Sequence, residues 1–308
     1  MDSRYREAVA LLLDIMPLVF AHRHYALKGG TAINLFCRDM PRLSVDIDLV
    51  FVDPDIQDRN SALVAIEDSL RSIAEALRTR LNVKVQATAS GSAQETKLFV
   101  SRGATQVKIE VNHVFRGSVY PVVQGNLTPS AEELFEREVT APMLDIDELY
   151  ASKLVAALDR QHPRDLFDVM LLNENGGITP RMRRAFVVYL AGHNRPMHEL
   201  LPPKPHSMAD AFEKEFVGMT SRNVAIHELE ETRAQLFAKL PTALDDAERQ
   251  LLVSLHRLEP DWALLGMPGV ESLPAIKWKL KNLGILKSTS PLKFNVMLEA
   301  LERRLGFN

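Results

Sequence analysis

The stretch that decides the fold runs Lys28-Gly29-Gly30-Thr31-Ala32-Ile33-Asn34-Leu35-Phe36-Cys37-Arg38-Asp39-Met40-Pro41-Arg42-Leu43-Ser44-Val45-Asp46-Ile47-Asp48-Leu49-Val50-Phe51. Its end, from Ser44 onward, alternates and is rich in β-branched residues, which predicts a half-buried strand over 44–52. Successive strand side chains point to opposite faces. Val45, Ile47, Leu49 and Phe51 therefore share a buried face, and Asp46 and Asp48 share the other with their carboxylates side by side. Adjacent anions on a strand repel, and a divalent cation is the simplest group to offset them. Upstream, Gly29 and Gly30 let the backbone approach a ligand closely. Amides opening the following short helix favour phosphate oxygens, with the Thr31 hydroxyl as a further donor. A D-x-D pair alone also suits a solvent-facing strand, and G-G-T alone suits a plain helix entry. Together they describe a phosphate cradle, a short helix and an acidic strand.

A second strand-like run, 105–114, carries Gln106-Val107-Lys108-Ile109-Glu110-Val111-Asn112. By the same parity Val107, Ile109 and Val111 point inward, and Lys108, Glu110 and Asn112 point with the acidic face. If the two strands pair, Glu110 is a third carboxylate beside Asp46 and Asp48. Three carboxylates with substrate phosphates are oxygen ligands suited to Mg²⁺, with Mn²⁺ as a substitute. Such ions activate a hydroxyl and stabilise leaving pyrophosphate. An aspartyl phosphotransferase motif, D-x-D-x-(T/V) with Val50, fits the letters. Its place at the end of the first strand of a doubly wound sheet does not match the glycine turn, helix and Arg-Leu-Ser that come first here.

Outward from these two strands the chain changes texture. A helix is expected over 2–20, another over 57–80, and strands over 82–88, 95–101 and 119–124. Hairpin turns are expected at Gly91-Ser92 and Gly103-Ala104. After Thr128-Pro129 nearly everything is helical, with helices over 146–160, 163–172, 180–191, 207–216, 222–238, 244–257 and 291–304. The fold class expected is an α/β (α+β) domain with a mixed sheet over 1–128, followed by an all-helical domain over 129–308.

Composition bounds the rest. With 308 residues, 46% hydrophobic and 25% charged, the chain has the apolar content of a globular protein. A net charge of −3 argues against disorder. The single cysteine, Cys37, excludes a disulfide scaffold and fits a reducing compartment. The opening MDSRYREAVA lacks a signal-peptide core and no apolar run spans a bilayer, so a cytoplasmic protein without membrane contact is expected. Charge is uneven: from Arg38 to Asp68 eight acids stand against three bases, and from Pro274 to Asn308 seven bases stand against two acids. Lys277, Lys279 and Lys281 flank Trp278, and Arg181, Arg183 and Arg184 cluster at a helix start. Basic residues beside an aromatic suit a nucleic-acid strand. A helix with its lysines extended along apolar surface fits the same letters.

The glycine turn followed by a D-x-D strand is similar to the signature of polymerase-β-like nucleotidyltransferases. The longer string resembles the AbiEii/AbiGii toxin branch, the MenT-like toxins of type IV toxin–antitoxin systems, with motif G-G-T-x-L…R-x-S-x-D-x-D-L. Arg42, Ser44, Asp46, Asp48 and Leu49 match it directly, and Ile33 stands where that branch often carries Leu. A second block, E-L-x-A-x-K-L-x-A-x-x-x-R-x-x-x-R-D-x-x-D, matches through Glu148, Leu149, Ala151, Lys153, Leu154, Ala156, Arg160, Arg164, Asp165 and Asp168. The resemblance covers about residues 25–172; residues 173–308 carry no recognised motif.

What the resemblance implies is an enzyme that takes an NTP, releases pyrophosphate and transfers the nucleotide to an acceptor. The expected acceptor is an RNA 3′ end, the tRNA acceptor stem, so that translation is blocked, and a cognate antitoxin is the expected partner. Asp46 and Asp48 would hold the metal ions, with Glu110 assisting as a ligand or as base toward the hydroxyl. Lys28, Gly29, Gly30, Thr31 and Ser44 would bind nucleotide. Lys153 would hold triphosphate oxygens as a mobile point charge. Asp165 would orient Lys153 or a neighbouring arginine, and Arg160 or Arg164 would contact phosphate or base. The alternatives are a nucleotide-binding module acting through a protein partner, and transfer onto protein hydroxyls.

Overall fold

The computed structural model describes residues 1–53, 55–56, 58–89 and 95–307, so the turn expected at Gly91-Ser92 lies outside the described residues. Two compact units form: Met1–Leu149 with Val217–Asn223, and Tyr150–Phe216 with Val224–Asn308.

The first unit begins with α1 (Ser3–Phe20), whose start is capped by the Asp2 side chain accepting from the Arg4 amide. Then follow β1 (Tyr25–Lys28) and a short turn of helix, α2 (Gly29–Thr31), which widens into a π-helical turn over Ala32–Cys37. Next come β2 (Asp46–Phe51), α3 (Arg59–Leu81), β3 (Lys84–Ala89), β4 (Glu95–Arg102), β5 (Thr105–Asn112), β6 (Val123–Asn126), α4 (Pro129–Phe135) and β7 (Thr140–Met143). The seven strands form one sheet in the order β3-β4-β5-β2-β1-β7-β6. It is mixed: β2 runs parallel to β5 and β1 parallel to β7, and the other neighbours are antiparallel.

Parity sets what each face carries. Ile47, Leu49, Phe51, Val107, Ile109 and Val111 are buried, on the face against which α1 and α3 pack. Each such side chain contributes roughly 1.5–3 kcal/mol by leaving water. The opposite face carries the polar residues of the same strands, with Val50 the buried apolar exception. Val45, expected on the buried face, precedes the strand and is half-buried.

Three elements of this unit have little or no signature in the letters. β7 is four residues long and contains Pro142, too short for alternation to show, yet it pairs in parallel with β1. β1 is equally short. The segment Val217–Asn223 returns from the helical half: the Leu43 amide donates to the Met219 carbonyl at 2.8 Å, and the Ser221 amide to the Pro41 carbonyl at 3.0 Å. The units divide inside α5 (Ile146–Arg160), later than the expected boundary at 128. The reason is hydrogen bonding: the Thr128 amide donates to the Leu35 carbonyl at 2.9 Å and the Leu144 amide to the Leu27 carbonyl at 3.0 Å, which ties this stretch to the sheet.

The second unit is helical: the remainder of α5, then α6 (Pro163–Glu174), α7 (Pro180–Ala191), α8 (Ala209–Glu215), α9 (Ile226–Ala243), α10 (Asp246–His256), α11 (Pro274–Thr289) and α12 (Pro291–Leu305). Pro163, Pro180, Pro274 and Pro291 each stand at a helix start, where a missing N–H costs nothing. Phe167, Phe186, Leu190, Leu240 and Leu252 are among its buried side chains. The architecture is the expected one, an α/β unit with a mixed sheet followed by helices. No helix among the described residues is long and apolar enough to cross a membrane.

Candidate active site

The parallel pairing of β2 with β5 sets Glu110 directly opposite Asp48, and Lys108 opposite Asp46. Lys28 on β1 stands opposite Asp48, and Lys97 on β4 opposite Glu110. One row across four strands therefore reads Lys28, Asp48, Glu110, Lys97. The β2–β5 pairing expected from parity is present and sets Glu110 in register with Asp48. What the letters did not assign a role is the pair of lysines around Glu110. Lys97 Nζ lies 3.1 Å from Glu110 Oε1 and Lys108 Nζ 2.6 Å from Glu110 Oε2. Lys108 Nζ also lies 4.0 Å from Asp46 Oδ2. Burial alone would lower the Lys108 ammonium, but Asp46, Glu110 and Asp48 outweigh it and raise its pKa, so it stays charged. Its parity with Glu110 was the signal available in sequence.

The glycines are required by two different neighbours. Gly29 has φ +76°, a left-handed conformation, and a β-carbon there would collide with the Asp48 carboxylate. Gly30 has an ordinary backbone, but a β-carbon would lie 2.6 Å from the Arg42 guanidinium and 2.9 Å from Ser44 Oγ. Arg42 is 2% exposed and donates to its neighbour's carbonyl at Leu43. The motif arginine is thus a buried wall behind the glycine turn. Thr31 is buried too: its hydroxyl donates to the Asp46 carbonyl and lies 3.0 Å from Ser44 Oγ. Thr31 and Ser44 therefore pin the glycine turn to the start of β2, a different task from the phosphate donor expected of Thr31. The first-turn N–H groups of the glycine turn have no acceptor within their own helix.

These residues fit a hard divalent cation in a specific way. Asp46 and Asp48 lie on the polar face of one strand and are both half-exposed. Among the described residues the Asp48 carboxylate makes no hydrogen bond or ion pair. Mg²⁺ is commonly held by one or two carboxylates plus substrate phosphates, and this pair supplies the two. Glu110 presents both oxygens to ammonium groups instead. Among the described residues no three acidic, histidine or cysteine side chains are grouped to hold an ion.

From Ala151 onward the second motif block lies in the second unit. After α5, Gln161 takes a positive φ of 49°, and His162 caps α6 by accepting from the Arg164 amide at 3.2 Å. This corner brings Asp165 and Asp168 back to α5. Lys153 Nζ lies 2.7 Å from Asp165 Oδ1 and 3.1 Å from Asp168 Oδ2, with side chains 7%, 3% and 0% exposed. Arg160 reaches the other Asp165 oxygen at 2.8 Å while staying 61% exposed. Burial alone would raise the Asp165 carboxyl, but Lys153 and Arg160 outweigh it and hold it far below the usual carboxylate range. Lys153 is thus a buried, doubly paired cation and not a mobile arm. Arg164 lies 3.3 Å from Glu215. Glu148, of the same motif, is fully buried in the first unit and accepts from the Val119 and Tyr120 amides at 2.8 and 3.0 Å. The letters show its place in the motif, and the fold shows that it anchors a loop.

The basic patches are partly internal. Arg183 binds Glu248 at 2.6 Å and Asp245 at 2.7 Å. Lys279 turns inward to the carbonyls of His193 and Arg195, and burial pushes its ammonium down to about 8.

No curated protein matches the chain in sequence. Among solved structures it is similar to MenT4, a nucleotidyltransferase toxin from Mycobacterium tuberculosis H37Rv. The TM-score is 0.60 at 17% identity, over 92% of this chain and 95% of that one, a likeness of fold. Residues 10–282 match the family described as nucleotidyl transferase AbiEii toxin, type IV toxin–antitoxin system. An acidic strand beside a glycine turn, in the topology of a nucleotidyltransferase and with a family match over most of its length, places this chain in the AbiEii family of nucleotidyltransferase toxins.

Proposed function

We propose that this nucleotidyltransferase moves a nucleotide from an NTP onto the 3′-hydroxyl of an RNA, the acceptor end of tRNA, in the cytoplasm, and so blocks translation until a cognate antitoxin restrains it. The observation that carries the reading is the Asp46–Asp48 pair facing the Gly29–Gly30 turn, with Glu110 opposite Asp48. The acceptor oxygen forms a bond to the α-phosphorus, the bond to the β-phosphate bridge breaks, pyrophosphate leaves, and the hydroxyl proton passes to solvent. Asp46 and Asp48 would hold Mg²⁺, which when bound neutralises charge on the phosphate oxygens. The Gly29 and Gly30 amides cradle phosphate, and Lys28, beside Asp48 in register, adds positive charge. Thr31 and Ser44 position the turn. Glu110, with each oxygen on a lysine, fixes Lys97 and Lys108 and leaves metal binding to the aspartates. On the resemblance, Lys153 serves the triphosphate, Asp165 orients it with Arg160, and Arg160 and Arg164 meet phosphate or base.

The acceptor class is tested by incubating the protein with α-labelled NTPs, Mg²⁺, total RNA and a cell lysate, then separating RNA from protein. The expected result is label in small RNA, with pyrophosphate released in equal amount. Label confined to protein would overturn the RNA acceptor and favour transfer to protein hydroxyls. Tight NTP binding with no transfer would favour the binding module.

A further inference from the structure

A cavity of about 160 Å³ lies wholly within the second unit, lined among others by His193, Asn194, Trp278, Lys279, Asn282 and Met297. These come from the loop after α7, from α11 and from α12. Sites that enclose a whole small-molecule ligand run to roughly 300–1,000 Å³. This one has the volume of a single ring system and leaves a sugar and phosphates outside it.

The walls suit one kind of ring. Trp278 is 39% exposed, and the Lys281 ammonium lies 5.7 Å from its ring centre. Lys279 is 8% exposed, yet it keeps a donor for a guest. An ammonium has three N–H groups; the carbonyls of His193 and Arg195 take two, at 2.6 and 2.8 Å, which leaves one on a residue that lines the cavity. The amides of Asn194 and Asn282 make no side-chain hydrogen bond among the described residues. Exposed Lys277, Lys281, Lys287 and Lys293 stand on the same two helices.

We propose that this cavity receives one unstacked nucleobase of the acceptor RNA, stacked on Trp278 with a carbonyl or ring-nitrogen acceptor turned to Lys279 Nζ. The inference rests on the RNA-acceptor reading above. An RNA strand is favoured over a free nucleotide on two grounds: the cavity holds only the ring, and the surrounding lysines match a phosphate backbone.

The test uses the full chain. Binding of a fluorescent single-stranded RNA pentamer is measured by anisotropy for wild type, Trp278→Ala and Trp278→Phe, and binding of a non-hydrolysable NTP by calorimetry. Trp278 is partly exposed, so both variants fold. Trp278→Ala is expected to weaken RNA roughly tenfold, Trp278→Phe to keep most of the affinity, and the NTP Kd to stay at the wild-type value in both. RNA affinity unchanged in Trp278→Ala overturns the proposal, as does a loss of NTP binding in place of RNA binding. A wild type that binds and labels RNA while Trp278→Ala binds equally well overturns the cavity alone. A wild type that neither binds nor labels RNA overturns the acceptor reading as well.

Discussion

Asp48→Asn is expected to lower nucleotidyl transfer roughly 10³-fold while the protein stays folded. That loss corresponds to about 4 kcal/mol of transition-state stabilisation. Asparagine preserves the shape that lies over Gly29 and keeps the β2–β5 register in which residue 48 faces Glu110. It removes only the charge. Because Asp46 and Asp48 repel each other across one residue, the variant should melt at or slightly above the wild-type temperature. Steady-state pyrophosphate release and a thermal melt on the same preparation separate the two effects. Activity within a few-fold of wild type, in a protein that melts normally, would remove Asp48 from the chemistry.

Lys153→Met carries the second large effect, on stability. The lysine sits between two carboxylates that are at most 3% exposed. Removing it leaves both buried with too little compensation, a change that costs about 3–5 kcal/mol when one partner of a buried pair is lost. Asp165 keeps Arg160, whose guanidinium is largely exposed to water and offsets only part of the loss. Adding Asp165→Asn and Asp168→Asn to Lys153→Met should restore much of the melting temperature, because neutral amides tolerate burial better. If Lys153 also serves the triphosphate, the restored triple variant stays inactive; if its role is confined to the fold, transfer returns with stability. The pH dependence has a definite sign. The Asp165 pKa is depressed in the folded state, so its contribution is fully present above the ordinary carboxylate pKa near ~4. It is lost as pH falls through the depressed value. The stability gap between wild type and Lys153→Met should therefore narrow on acidification below about pH 4. A Lys153→Met protein that melts with wild type at neutral pH would contradict the buried pairing.

Much of the site was legible because strand parity is a strict rule. Ile47, Leu49, Ile109 and Val111 must face the core together, and that alone turns Asp46, Asp48, Lys108 and Glu110 to one side. The glycines were legible as a close approach, though not as to what. Gly29 makes room for Asp48 and Gly30 for Arg42, contacts nineteen and twelve residues apart that depend on how β1 and β2 pair. Short elements escaped: β1 and β7 have four residues each, below the length at which alternation can be read. The return of Val217–Asn223 to the first unit is held by backbone hydrogen bonds to Pro41 and Leu43, and backbone groups leave no mark in the letters. Charge partners escaped for a related reason. Lys97 reaches Glu110 only through the β4–β5 register. The resemblance implied that Asp165 orients Lys153; what it did not imply is the burial of that pair or the approach of Asp168, which follow from the turn at Gln161 and His162.

Crystallising the full chain with a non-hydrolysable NTP and Mg²⁺ tests the central claim most directly. The expected density has phosphate oxygens on the Gly29 and Gly30 amides and one ion touching carboxylates of both Asp46 and Asp48, with Glu110 still on its lysines. Triphosphate density elsewhere, with those two carboxylates bare, would contradict it.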